Sequence, residues 1–408
     1  MEPARRPAIS AGSDGPAADD TVGWTARRLR EDPYEAMLRI AGEIGPRRPT
    51  SLAEAKAAAY LDGRLRRAGM SVSADAFRAT PTSGWDTLLV ALLACLAVAL
   101  YFWLPLPSLL LSLWNMCLAA VLLRRGGGLI GRRGTSQNVI ATRAAAELRR
   151  WRVVLLAPLE SPPALGRVGR ALLSNGRAAR GRLIAGVAIV LLAAGGLADL
   201  PLEARRALWY AQALPAAYLL VLAGAELRAA RAPYSPGAVS HAGALATLLS
   251  AAEALGQLES VELWVAALGS VSTRGGLEDM LRRYPFDREE TLFIGIEGIG
   301  AGSLCFVSGG DGPRRLGADP LILERAHTVG LDPQNEVGPR VYRGGTTLAG
   351  ALRAAGLRTL GVMCLDAAGR VPLQASAADA PDQVDPALLE RAAQFVTALV
   401  RQFDQTER

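Results

Sequence analysis

The chain has 408 residues, half of them hydrophobic, and its mean hydropathy is +0.21. This is high for a wholly soluble protein, so membrane-spanning segments are expected beside globular structure. The net charge is +7, and Lys56 is the one lysine among basic residues that are otherwise arginine. No aromatic residues interleave with the arginines in a nucleic-acid-binding motif, so no nucleic-acid partner is expected.

Histidine and cysteine, two of the metal-binding residue types, are scarce. The chain has only two histidines, His241 and His327, and its four cysteines are spread without a CxxC pair. The cysteines therefore predict neither a disulfide framework nor a cysteine zinc site. The two histidines limit any histidine-based metal chemistry.

The first 24 residues are rich in Ala, Gly, Pro and Asp, and they predict a disordered tail without features of a signal peptide. A helix is expected from Tyr34. A second is expected after Ser51, whose hydroxyl can cap it together with Glu54, and Gly69 follows its end. The alternating segment Ser71–Phe77 predicts a strand.

Two pairs of uncharged segments interrupt the globular pattern. The first pair is Thr87–Leu104 and Leu106–Leu123, and the second is Leu183–Ala198 and Ala207–Ala225. Each segment is close to the length that crosses a bilayer, so each pair predicts a transmembrane hairpin. The predicted division is a tail (1–24), three parts of one α/β domain (25–83, 125–176 and 232–408) and two transmembrane hairpins (84–124 and 177–231).

Arginines flank the hairpins unequally. The hairpin tips hold only Arg205 and Arg206. The opposite ends hold many more: Arg124, Arg125, Arg132, Arg133, Arg177, Arg180, Arg182, Arg228 and Arg231. By the positive-inside rule, this predicts a multi-pass protein of a bacterial inner (plasma) membrane whose soluble domain is cytoplasmic.

Strand-like and helix-like segments alternate outside the hairpins, which predicts an α/β sheet covered on both faces. The expected strands are 136–143, 151–158, 261–268, 291–300, 304–310 and 358–365. The expected helices are 240–255, 318–330 and 386–403, with Ser240 as a possible cap of the first.

Three segments carry a family resemblance. They are IGPRRPTSLAEAKAAAYLDGRLRRAG, SQNVIATR, and SPGAVSHAGALATLLSAAEALG at 235–256. They resemble the aminopeptidase Y-like family of two-zinc exopeptidases. The resemblance implies a three-layer α/β/α sandwich on a mixed sheet, here interrupted by the two transmembrane hairpins.

The family's metal-binding and catalytic positions are mostly replaced. The residues that stand at its zinc-ligand and general-base positions are Pro158, Ser240, Ser270, Val271, Glu297 and Ala375. Proline, valine and alanine offer no ligand atom, and a serine hydroxyl is a poor zinc donor at neutral pH. The resemblance therefore implies no zinc, no other cofactor and no catalytic residue in this chain.

Weaker constellations remain open. Glu160, His241, Glu297 and Asp379, or Asp382 in place of the last, could converge at the strand ends and hold one metal ion. A serine mechanism using Ser240 and His241 is disfavoured, because no G-x-S-x-G turn is present.

Two main hypotheses for function follow. The first is a membrane-anchored, catalytically inactive peptidase-like protein that binds a peptide or a membrane-protein partner, with Glu160 and Glu297 as the negative groups of its groove. Under this hypothesis Glu297 could instead merely cap a loop. The second is an active membrane metallo-aminopeptidase with displaced ligands. A transporter is a third reading, made difficult because the four spans hold no mid-membrane charge.

Overall fold

An eight-stranded mixed β-sheet is the centre of the fold. The computed structural model describes residues 32–81, 84–124, 130–173, 176–310, 317–333 and 335–405; the predicted tail at 1–24 lies outside them. The strands are β1 (Ser71–Ala79), β2 (Gly134–Arg143), β3 (Trp151–Pro158), β4 (Val261–Leu268), β5 (Thr291–Ile296), β6 (Ser303–Gly310), β7 (Gly338–Tyr342) and β8 (Arg358–Leu365). Their order in the sheet is β1-β2-β4-β3-β5-β8-β6-β7.

Four neighbouring strands at the centre of the sheet run parallel. Strand β3 pairs in parallel with β4 on one side and β5 on the other, and β5 pairs in parallel with β8. The flanking strands β2 and β6 are antiparallel to this group. The carboxyl ends of β4, β3, β5 and β8 therefore meet at one edge of the sheet.

The helices fall into two groups. One group packs with the sheet, and the other lies in two insertions away from it. Those of the sheet domain are α1 (Pro33–Leu38, continued by a π-helical turn Arg39–Ile44), α2 (Leu52–Arg67), α8 (Gly243–Leu255), α9 (Gly275–Arg283), α10 (Pro320–Gly330), α11 (Leu348–Ala354) and α12 (Pro386–Gln405). The others are α3 (Trp85–Leu100), α4 (Pro105–Arg124), α5 (Arg167–Leu173), α6 (Arg177–Gly195) and α7 (Leu202–Ala229).

The two faces of the sheet bury alternate residues of each strand. On β3, Val153 and Leu155 face the core shared with α1, α2, α8, α10 and α12. Val154 and Leu156 face the smaller core under α9 and α11. This confirms the prediction of a mixed α/β sheet with helices on both faces.

Helix α8 lies against the sheet and is covered by α12. Together with the π-helical turn before it, Ala238–Leu255 is long and apolar enough to cross a membrane, but 78% of this segment is buried within the protein. Gly243 permits this packing, because a Cβ there would lie 2.1 Å from the carbonyl oxygen of Ile299. The apolar side chains of Ala238–Leu255 therefore form part of the core of the sheet domain.

The helix start predicted at Ser51 is confirmed. The hydroxyl of Ser51 accepts a hydrogen bond from the backbone N–H of Glu54 at 3.3 Å, and Gly69 adopts the left-handed conformation after the helix. The sequence analysis missed β7 and the short helices α5, α9 and α11. These elements have five to nine residues, too few to show a clear hydrophobic period.

The four helices α3, α4, α6 and α7 pack as a bundle. Helix α3 contacts α4 and α7, and α6 contacts the same two helices. Polar side chains join them: Asn115 donates to the carbonyl of Val90 at 3.0 Å, and Trp209 donates to that of Val98 at 3.1 Å. Three of the four are long and apolar enough to cross a membrane, and α3 is a shorter apolar helix.

Both helix pairs are inserted between chain segments that lie side by side. Ala79 at the end of β1 pairs with Gly134 at the start of β2, and the first pair lies between them. Pro163 forms an isolated bridge with Tyr234 around the second pair. The ends of each insertion are thus already joined by backbone hydrogen bonds.

We expect the sheet domain to fold without the bundle. Replacing residues 80–133 with Asn-Gly and residues 166–231 with a short Gly/Ser linker should give a soluble protein, because only short loops must close. Size-exclusion chromatography and urea unfolding monitored by circular dichroism provide the measurement, with a single cooperative transition as the expected result.

The control for this excision is removal of one helix pair alone. That protein should aggregate, because the remaining pair loses its apolar partners in the bundle. A double-excision protein that aggregates or unfolds without cooperativity would contradict the expectation.

Candidate functional site

Four loops meet at the carboxyl edge of the parallel strands. They follow Pro158, Leu268, Ile296 and Leu365, the last residues of β3, β4, β5 and β8. The segment before α8 joins them, because the N–H of Gly298 donates to the carbonyl of Ser240 at 2.9 Å. The structure thus gathers the sequence-predicted positions at one edge of the sheet.

Two buried carboxylates hold the loop after β4. Glu54 accepts from the backbone N–H of Ser270 at 3.2 Å, and Glu160 accepts from that of Ser272 at 2.8 Å. Glu54 also accepts from Thr50 N–H at 2.7 Å. Ser270 and Ser272 are therefore backbone anchors of this loop, with Val271 between them, and the carboxylates that hold them come from elsewhere in the chain.

The surroundings of Glu160 favour the protonated form of its carboxyl group. Burial and the nearby charge of Glu54 raise its pKa to about 8. Its second oxygen, Oε2, is buried without a hydrogen-bond partner among the described residues. Burial also raises the pKa of Glu54, although hydrogen bonds oppose the effect. At neutral pH the pair therefore carries less negative charge than its two carboxyl groups suggest.

His241 is a neutral imidazole. Its Nδ1 lies 2.5 Å from the carbonyl oxygen of Glu160, so Nδ1 carries the proton and donates. Burial lowers the pKa of the ring to about 4, an effect to which the charge of Arg47 adds. His241 therefore contacts the backbone of Glu160, and the contact holds the π-helical turn against the loop after β3.

Ser240 does not cap a helix, so that expectation is wrong. It lies inside a π-helical turn, Ala238–Ala242, that begins before α8. Its hydroxyl instead donates to the carboxylate of Asp379, which also accepts from the N–H of Val239 at 2.7 Å. Burial raises the pKa of Asp379 while these bonds lower it.

Arg47 is a fully buried cation beneath this edge. Its guanidinium donates to backbone carbonyls of three segments, at Leu159 (3.0 Å), Ile40 (2.9 Å) and Pro236 (3.0 Å), and to Gly45 at 2.9 Å. Burial lowers its pKa to about 10, and the charge of Asp379 opposes that shift. Arg47 therefore supplies positive charge near Asp379.

Glu297 is turned toward a helix start. Its Oε1 accepts from the N–H of Leu348, the first residue of α11, at 2.5 Å. Burial raises the pKa of Glu297 to about 7 against these hydrogen bonds. The Glu297 carboxylate thus caps the N-terminus of α11. Ala375 lies on the loop after β8, where its carbonyl accepts from Leu165 N–H at 2.9 Å.

These residues do not fit the two zinc ions of the resembled enzymes. Such a site needs a bridging carboxylate between ions about 3.5–4 Å apart, with nitrogen and carboxylate ligands around them. Across the described part of the chain, no three His, Cys, Asp or Glu side chains lie together as a metal site requires. The carboxylates at this edge are instead bound to backbone N–H groups and to Ser240.

Comparison with solved structures identifies the fold. The structure resembles a zinc aminopeptidase from Bacillus subtilis with a TM-score of 0.56 and 12% identity, over 92% of this chain and 96% of that one. It resembles a Porphyromonas gingivalis glutaminyl cyclase with a TM-score of 0.54 and 12% identity, over 91% and 97%. The fold is that of the zinc exopeptidases.

A third similar structure is a leucine aminopeptidase precursor from Bacteroides thetaiotaomicron, with a TM-score of 0.53 and 12% identity, over 92% of this chain and 97% of that one. No protein-family model and no curated protein sequence matches the chain. The three likenesses establish architecture, and at this identity they carry no activity to the chain.

Sequence reasoning missed two residues at this edge. Arg47 stands in a Pro-Arg-Arg-Pro segment, where an exposed arginine is the ordinary expectation. Glu54 was assigned to a capping box, and its carboxylate does accept from backbone N–H at the helix start. Its second role, on Ser270, depends on a contact between residues 216 positions apart. No local pattern could have revealed it.

The buried carboxyl of Glu160 predicts a pH effect on stability. Its pKa is raised in the folded protein, so the folded state binds the extra proton and its stability falls as pH rises toward 8. Glu160→Gln should remove this loss. From about pH 6.5 to about pH 8.5, the free energy of unfolding of the wild type should fall by roughly 2 kcal/mol more than that of the variant.

Urea unfolding across this pH range provides the measurement. His241 does not confuse the result, because its lowered pKa costs stability only as pH falls below about 6.5. Glu259→Gln, at an exposed position, is the control and should follow the wild type. Equal pH slopes for Glu160→Gln and the wild type would show that Glu160 is ionised in the folded protein.

Proposed function

We propose that this protein is a membrane-anchored, catalytically inactive member of the aminopeptidase Y-like family that acts by binding or scaffolding. One observation carries the proposal. At the edge where the resembled enzymes hold zinc, this chain places Pro158, Ser240, Ser270, Val271 and Ala375, and the carboxylates present are bonded to its own backbone and to Ser240.

Membrane anchoring is supported by the surface of the helix bundle. Large apolar side chains point outward on all four helices, including Leu92, Leu96, Leu110, Trp114, Ile184, Leu191, Leu214 and Val221. An apolar surface of this extent is stable in a bilayer and not in water. The polar contacts between helices satisfy groups that lipid cannot.

The soluble domain is proposed to be cytoplasmic, from the arginines at the domain-facing ends of the helices. Arg182 and Glu226 form an ion pair of 3.1 Å at that end, and Arg228 and Arg231 lie beyond it. Reporter fusions at Pro107 and at the C-terminus measure this orientation. An extracytoplasmic C-terminus would contradict it.

The proposed partner is a peptide or another membrane protein. The carboxyl edge keeps buried hydroxyl and carboxyl groups beside the membrane bundle, and Glu160 retains an unpartnered oxygen there. An ammonium group such as a peptide's amino end, brought close to a protonated buried carboxyl, lowers the pKa of that carboxyl and pairs with its ionised form. Because Glu297 accepts from α11, Glu160 is the stronger candidate for that contact.

The alternative is an active metallo-aminopeptidase with displaced ligands. Its support is that Glu160 and His241 lie at the carboxyl edge in direct contact through the backbone of Glu160. A single weakly held ion would need further ligands from water or substrate.

Metal analysis and activity distinguish the two. The purified full-length protein, incubated with zinc and then desalted, should retain far less than one zinc per chain, and it should not hydrolyse a panel of aminoacyl-amide substrates. A soluble zinc aminopeptidase is the positive control. Hydrolysis that a chelator abolishes and that His241→Ala also abolishes would establish the alternative.

A further inference from the structure

A basic concavity lies where the helix bundle meets the sheet domain. It has a volume of about 630 Å³ and is lined by four arginines, Arg177, Arg180, Arg343 and Arg370, together with Gly181, Ile184 and Ala368. Two of the arginines come from the start of α6 and two from loops of the sheet domain. The concavity is open toward solvent, so a ligand held there would keep part of its surface exposed.

The contacts of Arg370 and Arg177 leave positive charge available to a ligand in this concavity. Arg370 lies 3.7 Å from Asp366 in an ion pair whose side chains are both substantially exposed. The side chain of Arg177 donates to the carbonyl of Ala171 at 3.1 Å, which leaves its charge uncompensated by that contact. Such a cluster attracts an anion with several oxygen acceptors, such as a phosphate group.

The arginines of α6 continue into an apolar stripe. Below Arg177 and Arg180, the same face of the helix presents Ile184, Val187 and Leu191, which are 69%, 45% and 67% exposed. The opposite face is buried in the bundle at Ala178, Ala185, Ile189 and Ala193. One face of α6 therefore changes from cationic to apolar along its length.

The length of this stripe matches one leaflet of a bilayer. Arg180 and Leu191 are separated by about 16 Å along a helix, and half of the hydrocarbon core is about 15 Å thick. The cationic end faces the sheet domain, at the level where lipid headgroups would lie.

We infer that this concavity binds the phosphate headgroup of an anionic membrane lipid in the leaflet facing the sheet domain, with an acyl chain along Ile184, Val187 and Leu191. Basic pockets at the ends of membrane helices recognise such headgroups. Arg343 and Arg370 cover the headgroup from the domain side and so couple the position of the domain to the lipid. The inference rests on the membrane insertion proposed above.

Native mass spectrometry of the full-length protein in detergent tests the inference. Added phosphatidylglycerol should bind as a retained lipid, and phosphatidylcholine at the same concentration should not. The double variant Arg177→Gln/Arg180→Gln should weaken phosphatidylglycerol binding by about 30-fold. Arg343→Gln/Arg370→Gln should weaken it similarly, from the other side of the site.

The matched control is Arg228→Gln/Arg231→Gln. It removes two exposed arginines from the same side of the bundle, outside the concavity, and should bind phosphatidylglycerol as the wild type does. Equal weakening by all three double variants would mean nonspecific attraction to the bundle and would overturn the site.

Inorganic phosphate separates a lipid from a soluble ligand. It should not displace phosphatidylglycerol, and Ile184→Ala should weaken lipid retention because the acyl chain loses a contact. Displacement by inorganic phosphate, with no effect of Ile184→Ala, would assign the concavity to a soluble phosphate compound and overturn the lipid assignment.

Alkaline carbonate extraction of membranes accompanies each variant. All should stay in the membrane fraction, so that a loss of lipid binding is not a loss of anchoring. Extraction of the wild type would overturn membrane insertion itself and the lipid site with it.

Discussion

Replacing Arg47 with methionine is expected to destabilise the sheet domain by about 3–5 kcal/mol. The side chain is fully buried, and its guanidinium donates to the carbonyls of Leu159, Ile40, Gly45 and Pro236. Methionine fills similar volume but donates nothing, so the carbonyls of Leu159, Gly45 and Pro236 lose this donor, while that of Ile40 keeps the N–H of Gly45 at 3.2 Å. The loss is large because one side chain serves three separate segments of the chain.

Arg48→Met is the matched control. Arg48 is the next residue, is exposed, and stacks over the ring of Tyr234 with 5.8 Å between its guanidinium carbon and the ring centroid. An exposed contact of this kind contributes about 0.5–1 kcal/mol. Urea unfolding of the two variants side by side provides the measurement. Similar small losses of unfolding free energy for both variants would show that the carbonyls bound by Arg47 find other partners. Arg47 would then not be what holds these segments together.

The sheet was largely predictable because its central strands are long apolar runs. Segments such as Val153–Leu156 and Val261–Leu268 are buried on both faces, so their composition alone marks them as parallel strands in an α/β sheet. Strand β7, at the edge of the sheet, carries exposed residues and a proline. It has no composition that distinguishes it from a loop.

Helix α8 shows where hydropathy alone misleads. The segment Ala238–Leu255 is apolar enough to cross a membrane, although it is less apolar than the three long bundle helices, and it is buried against the sheet. From the sequence, a helix at 240–255 is expected in the α/β domain, within a segment that resembles the exopeptidases, whereas the bundle helices are expected as pairs of uncharged segments. Context along the chain therefore distinguishes the buried helix α8 from the helices of the apolar bundle.

Residue identity and folded geometry contribute differently to what can be predicted of the site. The absence of ligand atoms at Pro158 and Ala375 follows from residue identity. The bonds of Glu160 to Ser272 and of Asp379 to Ser240 join residues more than a hundred positions apart and follow from the folded geometry. Sequence reasoning grouped Glu160, His241, Glu297 and Asp379 by shared chemistry. The structure gives each of them a different partner.

Placing a carboxylate at Ser240, the position that resembles the metal-bridging aspartate of the exopeptidases, should destabilise this protein. Ser240→Asp places a second carboxylate against Asp379, which burial already disfavours in its charged form. Two buried like charges in contact raise the pKa of one of them strongly. The variant should lose several kcal/mol of stability at neutral pH and regain part of it as pH falls and one carboxyl group protonates.

Two further variants test whether charge repulsion causes the loss of stability. Ser240→Asn has the same size without the charge and should be much less destabilising, and Asp379→Asn added to Ser240→Asp should restore most of the stability. Zinc should not restore it, because Pro158, Ser270 and Ala375 supply no ligand around the pair. Unfolding midpoints of the three variants with and without zinc provide the measurement. A zinc-dependent rise in the midpoint of Ser240→Asp alone would mean that the edge still holds the geometry of a metal site, and that the hydrogen bond between Ser240 and Asp379 merely occupies it. Without that rise, the hydrogen bond between Ser240 and Asp379 is itself the link between the π-helical turn before α8 and the loop after β8.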